Sequence, residues 1–191
     1  GLKVKVGVMQ GTNPDAKSVM GQDRWPHFLD FLRCARGKLI CLGRRNYVKH
    51  AISEVRHWQQ FELCKQWTPR STSCRHKMAA LPAEPETVLR SIEKSRKELA
   101  IYNQVCEDAC LALPCNKLAY EDVAYGGDRA ALLDGLQRWL GVPPKKLRAR
   151  TVKMNSNYSR SIPNLAVVES AVTARYGADS EEVRLLHATH S

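Results

Sequence analysis

The chain has 191 residues, 43% of them hydrophobic and 26% charged, a globular composition that suits one domain, or one with a sizeable insertion. Lysine and arginine outnumber aspartate and glutamate by 30 to 19, a formal charge of +11 that favours an anionic partner. The basic residues are spread along the chain, which counts against a nucleic-acid-binding arm, and no apolar run approaches the length of a membrane span.

In chain order, "LKVKVGVM" (Leu2 to Met9) reads as a strand. "WPHFLDFLRCA" (Trp25 to Ala35) has apolar residues at helical spacing, Pro26 suited to a first turn, and Gly37 as its stop. "KLICL" (Lys38 to Leu42) is a short strand of the kind buried on both faces of a parallel sheet. A helix follows from Tyr47 to about Leu63. The segment Cys64 to Pro85 is basic, irregular and holds three prolines, so it is read as a loop or insertion. Glu86 to Leu111 is a long helical pattern stopped by Pro114, and "NKLAYEDV" (Asn116 to Val123) is another strand running into acidic residues. Asp128 to Leu140 is an amphipathic helix with Asp128 as N-cap and Gly141 as its stop, and a last helix is centred on Ala166 to Arg175. Alternating strands and helices predict an α/β fold with a mostly parallel sheet.

The seven cysteines are an odd number and lack the paired CxxC spacing of a zinc module. Cys34 and Cys41 sit among apolar residues and read as buried thiols, while Cys64 with Cys74 and Cys106 with Cys115 are possible disulfides. His50 and His57 have no third ligand in a metal-binding pattern, so no metal is expected.

The most informative stretch is "LICLGRRNYVKHAISEVRHW" (Leu39 to Trp58), where a buried strand hands over to a helix through two arginines. Ligands of open α/β sheets bind where strand C-termini meet helix N-termini. Arg44 and Arg45 stand at that edge, and Asn46 is a good N-cap. At about 100° per residue, Asn46, His50, Ser53 and His57 form a narrow polar stripe opposite Val48, Ile52 and Val55. An arginine fork plus a hydroxyl farther along the helix suits a phosphate; a solvated polar face is the plainer alternative.

Arg45 and Ser53, eight apart in "RRNYVKHAIS", resemble the 3′-phosphate-binding motif of the sulfotransferases that use 3′-phosphoadenosine 5′-phosphosulfate (PAPS). "GLKVKVGVMQ" is similar to the strand that opens GFKxMYxQ in the nodulation-factor and trehalose type of carbohydrate sulfotransferase. "LAYEDV" resembles that family's YEDL strand end. "LQRWLGV" followed by "RARTVKMNSNYSRSIPNLAVVESAVTARYG" is similar to its C-terminal tail. These stretches cover most of residues 1–60 and 115–177.

The resemblance implies a P-loop-type three-layer sandwich spanning 1–191, with an insertion at 64–85 and with the N-terminal βα unit missing. The family's phosphosulfate loop belongs to that unit, so the chain is read as N-terminally incomplete. The resemblance also implies sulfuryl transfer from PAPS to an acceptor hydroxyl, that of a carbohydrate, without a metal. Arg45 and Ser53 would hold the 3′-phosphate, Tyr120 would lie near the adenine, and Lys153 and Asn155 would belong to the loop over the nucleotide. Lys3 would stabilise charge on the bridging oxygen as the bond to sulfur breaks, with Lys5 competing for that role. No general base is assigned, although His27 and His50 are available. The basic insertion, with Trp67, is a candidate lid for an acidic glycan. The Golgi lumen is favoured for a eukaryotic enzyme of this kind and the cytoplasm for a bacterial one. The alternatives are a kinase-like nucleotide-binding enzyme and a non-catalytic basic module for nucleic acid or anionic polysaccharide.

Overall fold

The structure is a computed structural model that describes residues 25–65, 77–78, 80–147 and 162–188. The expected strand Leu2–Met9 with Lys3 and Lys5, most of the 64–85 insertion, and the loop carrying Lys153 and Asn155 lie outside the described residues. In chain order the elements are α1 (Trp25–Cys34), β1 (Leu39–Gly43), α2 (Tyr47–Cys64), α3 (Pro85–Ala112), β2 (Cys115–Ala119), α4 (Tyr120–Tyr125), α5 (Arg129–Leu140), α6 (Leu165–Tyr176) and α7 (Glu181–His187). The described residues are thus rich in helix, with a two-stranded parallel sheet, β1 beside β2. The chain divides into two compact units, Gly1–Arg45 with Glu98–Lys145, and Asn46–Lys97 with Lys146–Ser191.

In the first unit β1 and β2 pair in parallel from Leu39↔Cys115 to Gly43↔Ala119. Parallel strands need a long crossover, and the chain between them contains α2 and α3. A satellite core forms where Leu29 of α1 meets Ala109 and Leu113, with Trp25, Leu32, Leu39 and Ala112 packed against it. The end of α1 departs from expectation. Arg36, rather than Gly37, takes the left-handed conformation (φ 52°), and the Gly37 N–H closes the helix on Leu32 O at 2.7 Å. Gly37 serves close packing instead, since a Cβ there would lie 3.0 Å from that carbonyl oxygen. The expected stop of α5 is observed: Gly141 is left-handed (φ 83°), and the Gly141 and Val142 N–H groups bond back to Arg138 O and Gln137 O. Asp128 occupies the N-cap position of α5, but its side chain makes no capping bond.

Three further expectations are corrected here. β1 was expected to be buried on both faces, yet Ile40 and Leu42 are 38% and 50% exposed while Cys41 is buried. The second strand ends at Ala119, and Tyr120 to Tyr125 is a helix. Cys34 is exposed, because it lies on the outer side of α1 away from Leu29.

The second unit buries the apolar stripe of α2, Val48, Ile52 and Val55, as the spacing predicts. It also buries Val88, Leu89 and Ile92 of α3, Val168 and Val172 of α6, and Leu186 of α7. Asn46 caps α2 by accepting from the Lys49 N–H at 2.8 Å. Glu84 does the same for α3, accepting from the Thr87 and Glu86 N–H groups ahead of Pro85, a proline placed where a helix has no use for its missing N–H.

Candidate anion-binding site

The first unit places chemistry at the C-terminal end of its two parallel strands. β1 ends at Gly43 and delivers Arg44 and Arg45; β2 ends at Ala119 and delivers Tyr120, Glu121 and Asp122. Gly43 is required by close approach, since a Cβ there would sit 2.9 Å from Tyr102 Cε1. A cavity of about 350 Å³ opens at this end, lined by Arg44, Arg45, Lys117, Asn103 and Glu107, with Cys41, Tyr102 and Cys106 among its other walls. Three cations face one carboxylate, so the cavity is a net positive concavity.

Arg44 lies over the Tyr120 ring, 4.8 Å from its centroid, a cation–π arrangement. Its Nε is buried and has no hydrogen-bond partner among the described residues. A buried guanidinium N–H without an acceptor is costly, and a ligand oxygen would satisfy it. The donor set therefore fits an anionic group. Arg45 is more committed. Its backbone N–H donates to Glu121 Oε2 at 3.1 Å, and its guanidinium Nη2 is paired with the Asp122 carboxylate.

The walls beneath are thiol and phenol. Burial, and then the Cys106 thiol, push the Cys41 thiol up to about 12. Burial, then Cys106, also raises the Tyr102 phenol. Both are neutral at physiological pH and add no negative charge to the cavity. Cys106, expected as a partner of Cys115, is a free buried thiol; the disulfide is Cys110–Cys115. The reason is helical geometry. Cys110 lies in the last turn of α3, and the turn through Pro114 returns the chain beside it, whereas Cys106 is one turn farther back. Cys64 is also disulfide-bonded, and its expected partner Cys74 lies outside the described residues.

The second unit holds the polar stripe of α2, where the structure departs from a ligand-facing helix. Asn46 is buried, and besides capping the helix it donates to Leu185 O at 2.7 Å. Lys49 is buried and donates to Ala188 O. The Tyr47 hydroxyl donates to Glu182 Oε1 at 2.9 Å. His50 contacts Ser95 Oγ at 3.3 Å. The C-terminal end of α7 thus covers the first turn of α2. Of the predicted stripe, His57 is exposed and Ser53 half-buried. Arg45 belongs to the first unit and Ser53 to the second.

Of the predicted site residues, Arg45 and Tyr120 are brought to one strand end. Ser53 is on α2, and Lys3, Lys153 and Asn155 lie outside the described residues. Arg44, Lys117 and the thiol wall were missed as site residues. Arg44 was legible, because "RR" stands at the strand end. Lys117 was not, because its place depends on how β2 pairs. Comparison of the chain with protein-family models, curated proteins and solved structures finds no match.

Proposed function

We propose that this chain is a PAPS-dependent sulfotransferase domain acting on an acceptor hydroxyl, in keeping with the family its motifs resemble, with a carbohydrate as the acceptor. The observation that carries the reading is the convergence of Arg44, Arg45 and Tyr120 at the C-terminal end of two parallel strands, beside a cavity where cations prevail. Open α/β sheets bind nucleotides at such a position. The finer fold in this reading is a P-loop-type three-layer sandwich built on the β1–β2 pair.

Arg45 would bind the 3′-phosphate by its charge-assisted fork. Arg44 would offer its buried Nε to a second anionic oxygen. Tyr120 would set the face on which the adenine rests and would hold Arg44 by the same ring. PAPS, when bound, supplies the sulfuryl group for in-line transfer to the acceptor oxygen. Lys3 would stabilise the charge left on the bridging oxygen.

The test is calorimetric titration with 3′-phosphoadenosine 5′-phosphate against 5′-AMP, for the wild type and Arg45→Ala. Binding that needs the 3′-phosphate and weakens at least tenfold in Arg45→Ala supports the reading. Equal binding of both nucleotides, indifferent to Arg45, or no binding of either, overturns it for this chain. A second reading, a non-catalytic basic module, is favoured by the pairing of Arg45 with Asp122 and by the +11 charge spread along the chain. Its mark is affinity that falls steeply with salt and ignores Arg45.

A further inference from the structure

Four of the seven cysteines converge on one corner of the first unit. Cys106 and Cys110 are four residues apart on α3, one turn along the same side of the helix. Cys115 opens β2, and Cys41 is the centre of β1. The parallel register pairs Cys115 with Leu39 and Cys41 with Lys117. Alternate residues of a strand share a face, so Cys41, Cys115 and Lys117 all belong to the same face of the sheet. The sulfurs of Cys41, Cys110 and Cys115 lie within 4.8 Å of one another. Cys110 and Cys115 are joined as a disulfide, while Cys41 and Cys106 are free and buried.

We propose that reduction of the Cys110–Cys115 bond turns this corner into a binding site for a soft divalent ion of the zinc class, held by Cys41, Cys110 and Cys115, with Cys106 supplying the fourth sulfur. The proposal rests on sulfur geometry and stands apart from the sulfotransferase reading. A tetrahedral zinc site with Zn–S bonds of about 2.3 Å spaces its sulfurs about 3.8 Å apart, so three of the four need only small rotations. An all-sulfur donor set selects zinc over magnesium or calcium, which take oxygen ligands. Four thiolates around a divalent ion leave two negative charges, and Lys117 and Arg44 border the same cavity as Cys41 and Cys106. The ligands come from β1, β2 and α3, so an ion would tie three elements together.

The chemistry balances. A dithiol reductant delivers two electrons into the Cys110–Cys115 bond and leaves as its own disulfide, and the two freed sulfurs take up protons. Metal binding then displaces the thiol protons to solvent.

The test uses the full chain in a Cys34→Ser, Cys64→Ser, Cys74→Ser background, so that the four converging cysteines are the ones left. It is reduced, freed of reductant without air, and titrated with Co²⁺ as a spectroscopic stand-in for zinc. The expected result is one Co²⁺ per chain with a sulfur-to-metal charge-transfer band, absent from the oxidised chain. Cys41→Ser and Cys115→Ser are each expected to lower affinity at least tenfold. As a measurement that does not depend on those variants folding, Zn²⁺ should raise the melting temperature of the reduced wild type and leave the oxidised wild type unmoved. No charge-transfer band in the reduced chain, a band that survives both substitutions, or an equal Zn²⁺ effect on both redox forms would overturn the proposal.

Discussion

The guanidinium of Arg45 rests on Asp122 with both side chains well exposed, 66% and 49%. An exposed pair of this kind contributes about 0–1 kcal/mol, whereas a phosphate offers the same fork two oxygens and more charge. Exchange of partner is therefore favourable on charge alone. Asp122→Asn should release the fork and raise affinity for 3′-phosphoadenosine 5′-phosphate by about two- to fivefold, the equivalent of that pair; calorimetry reads it directly. A loss of affinity would mean that Asp122 positions Arg45 instead of competing for it. At Gly43 the constraint is steric. Gly43→Ala forces its Cβ into the Tyr102 ring and should cost about 1–3 kcal/mol of stability in urea unfolding. Tyr102→Leu in the same chain should recover part of that loss.

α2 and α3 each start with a side-chain cap, and the two caps differ in what they add. Asn46 has two roles, accepting from Lys49 N–H and donating to Leu185 O. Asn46→Ala removes a cap of about 1 kcal/mol together with the donor to Leu185 O, so the expected loss is about 1–3 kcal/mol by denaturant unfolding. Glu84 is simpler. Hydrogen bonds from the Thr87 side chain, then its backbone N–H, hold the Glu84 carboxyl below the ordinary carboxylate range. A depressed folded-state value means that its stabilisation is complete above the unfolded-state value and fades as pH falls through the folded-state one. The melting-temperature gap between wild type and Glu84→Gln should therefore narrow as pH falls from about 6 to about 3. A gap constant over that range would show that the carboxylate charge contributes nothing to the cap.

For the molecule as a whole, the charge of +11 predicts background affinity for any polyanion. Binding of a single-stranded oligonucleotide should fall by orders of magnitude between about 50 and 200 mM salt and be unchanged in Arg45→Ala. Binding that depends on the 3′-phosphate should be much less salt-sensitive and should require Arg45. If the two ligands respond alike, the spread charge is the operative property and the nucleotide site is not. The sequence by itself determined the start of α2 and the stop of α5, because these caps and terminators act within a few residues: Asn46 on Lys49, Gly141 on Arg138. It determined the buried stripe of α2 from its 3.6-residue period, and it placed two arginines at a strand end. The tertiary structure decided what lies far apart in the chain. Arg45 meets Glu121 and Asp122 across 76 and 77 residues, and Asn46 meets Leu185 across 139. No local pattern encodes such a partner. The same holds for Tyr120, which opens a helix although its β-forming neighbours read as strand, and for Cys115, whose partner was set by the turn at Pro114. Strand pairing and helix packing made those choices, because they bring together groups whose sequence separation hides their complementarity.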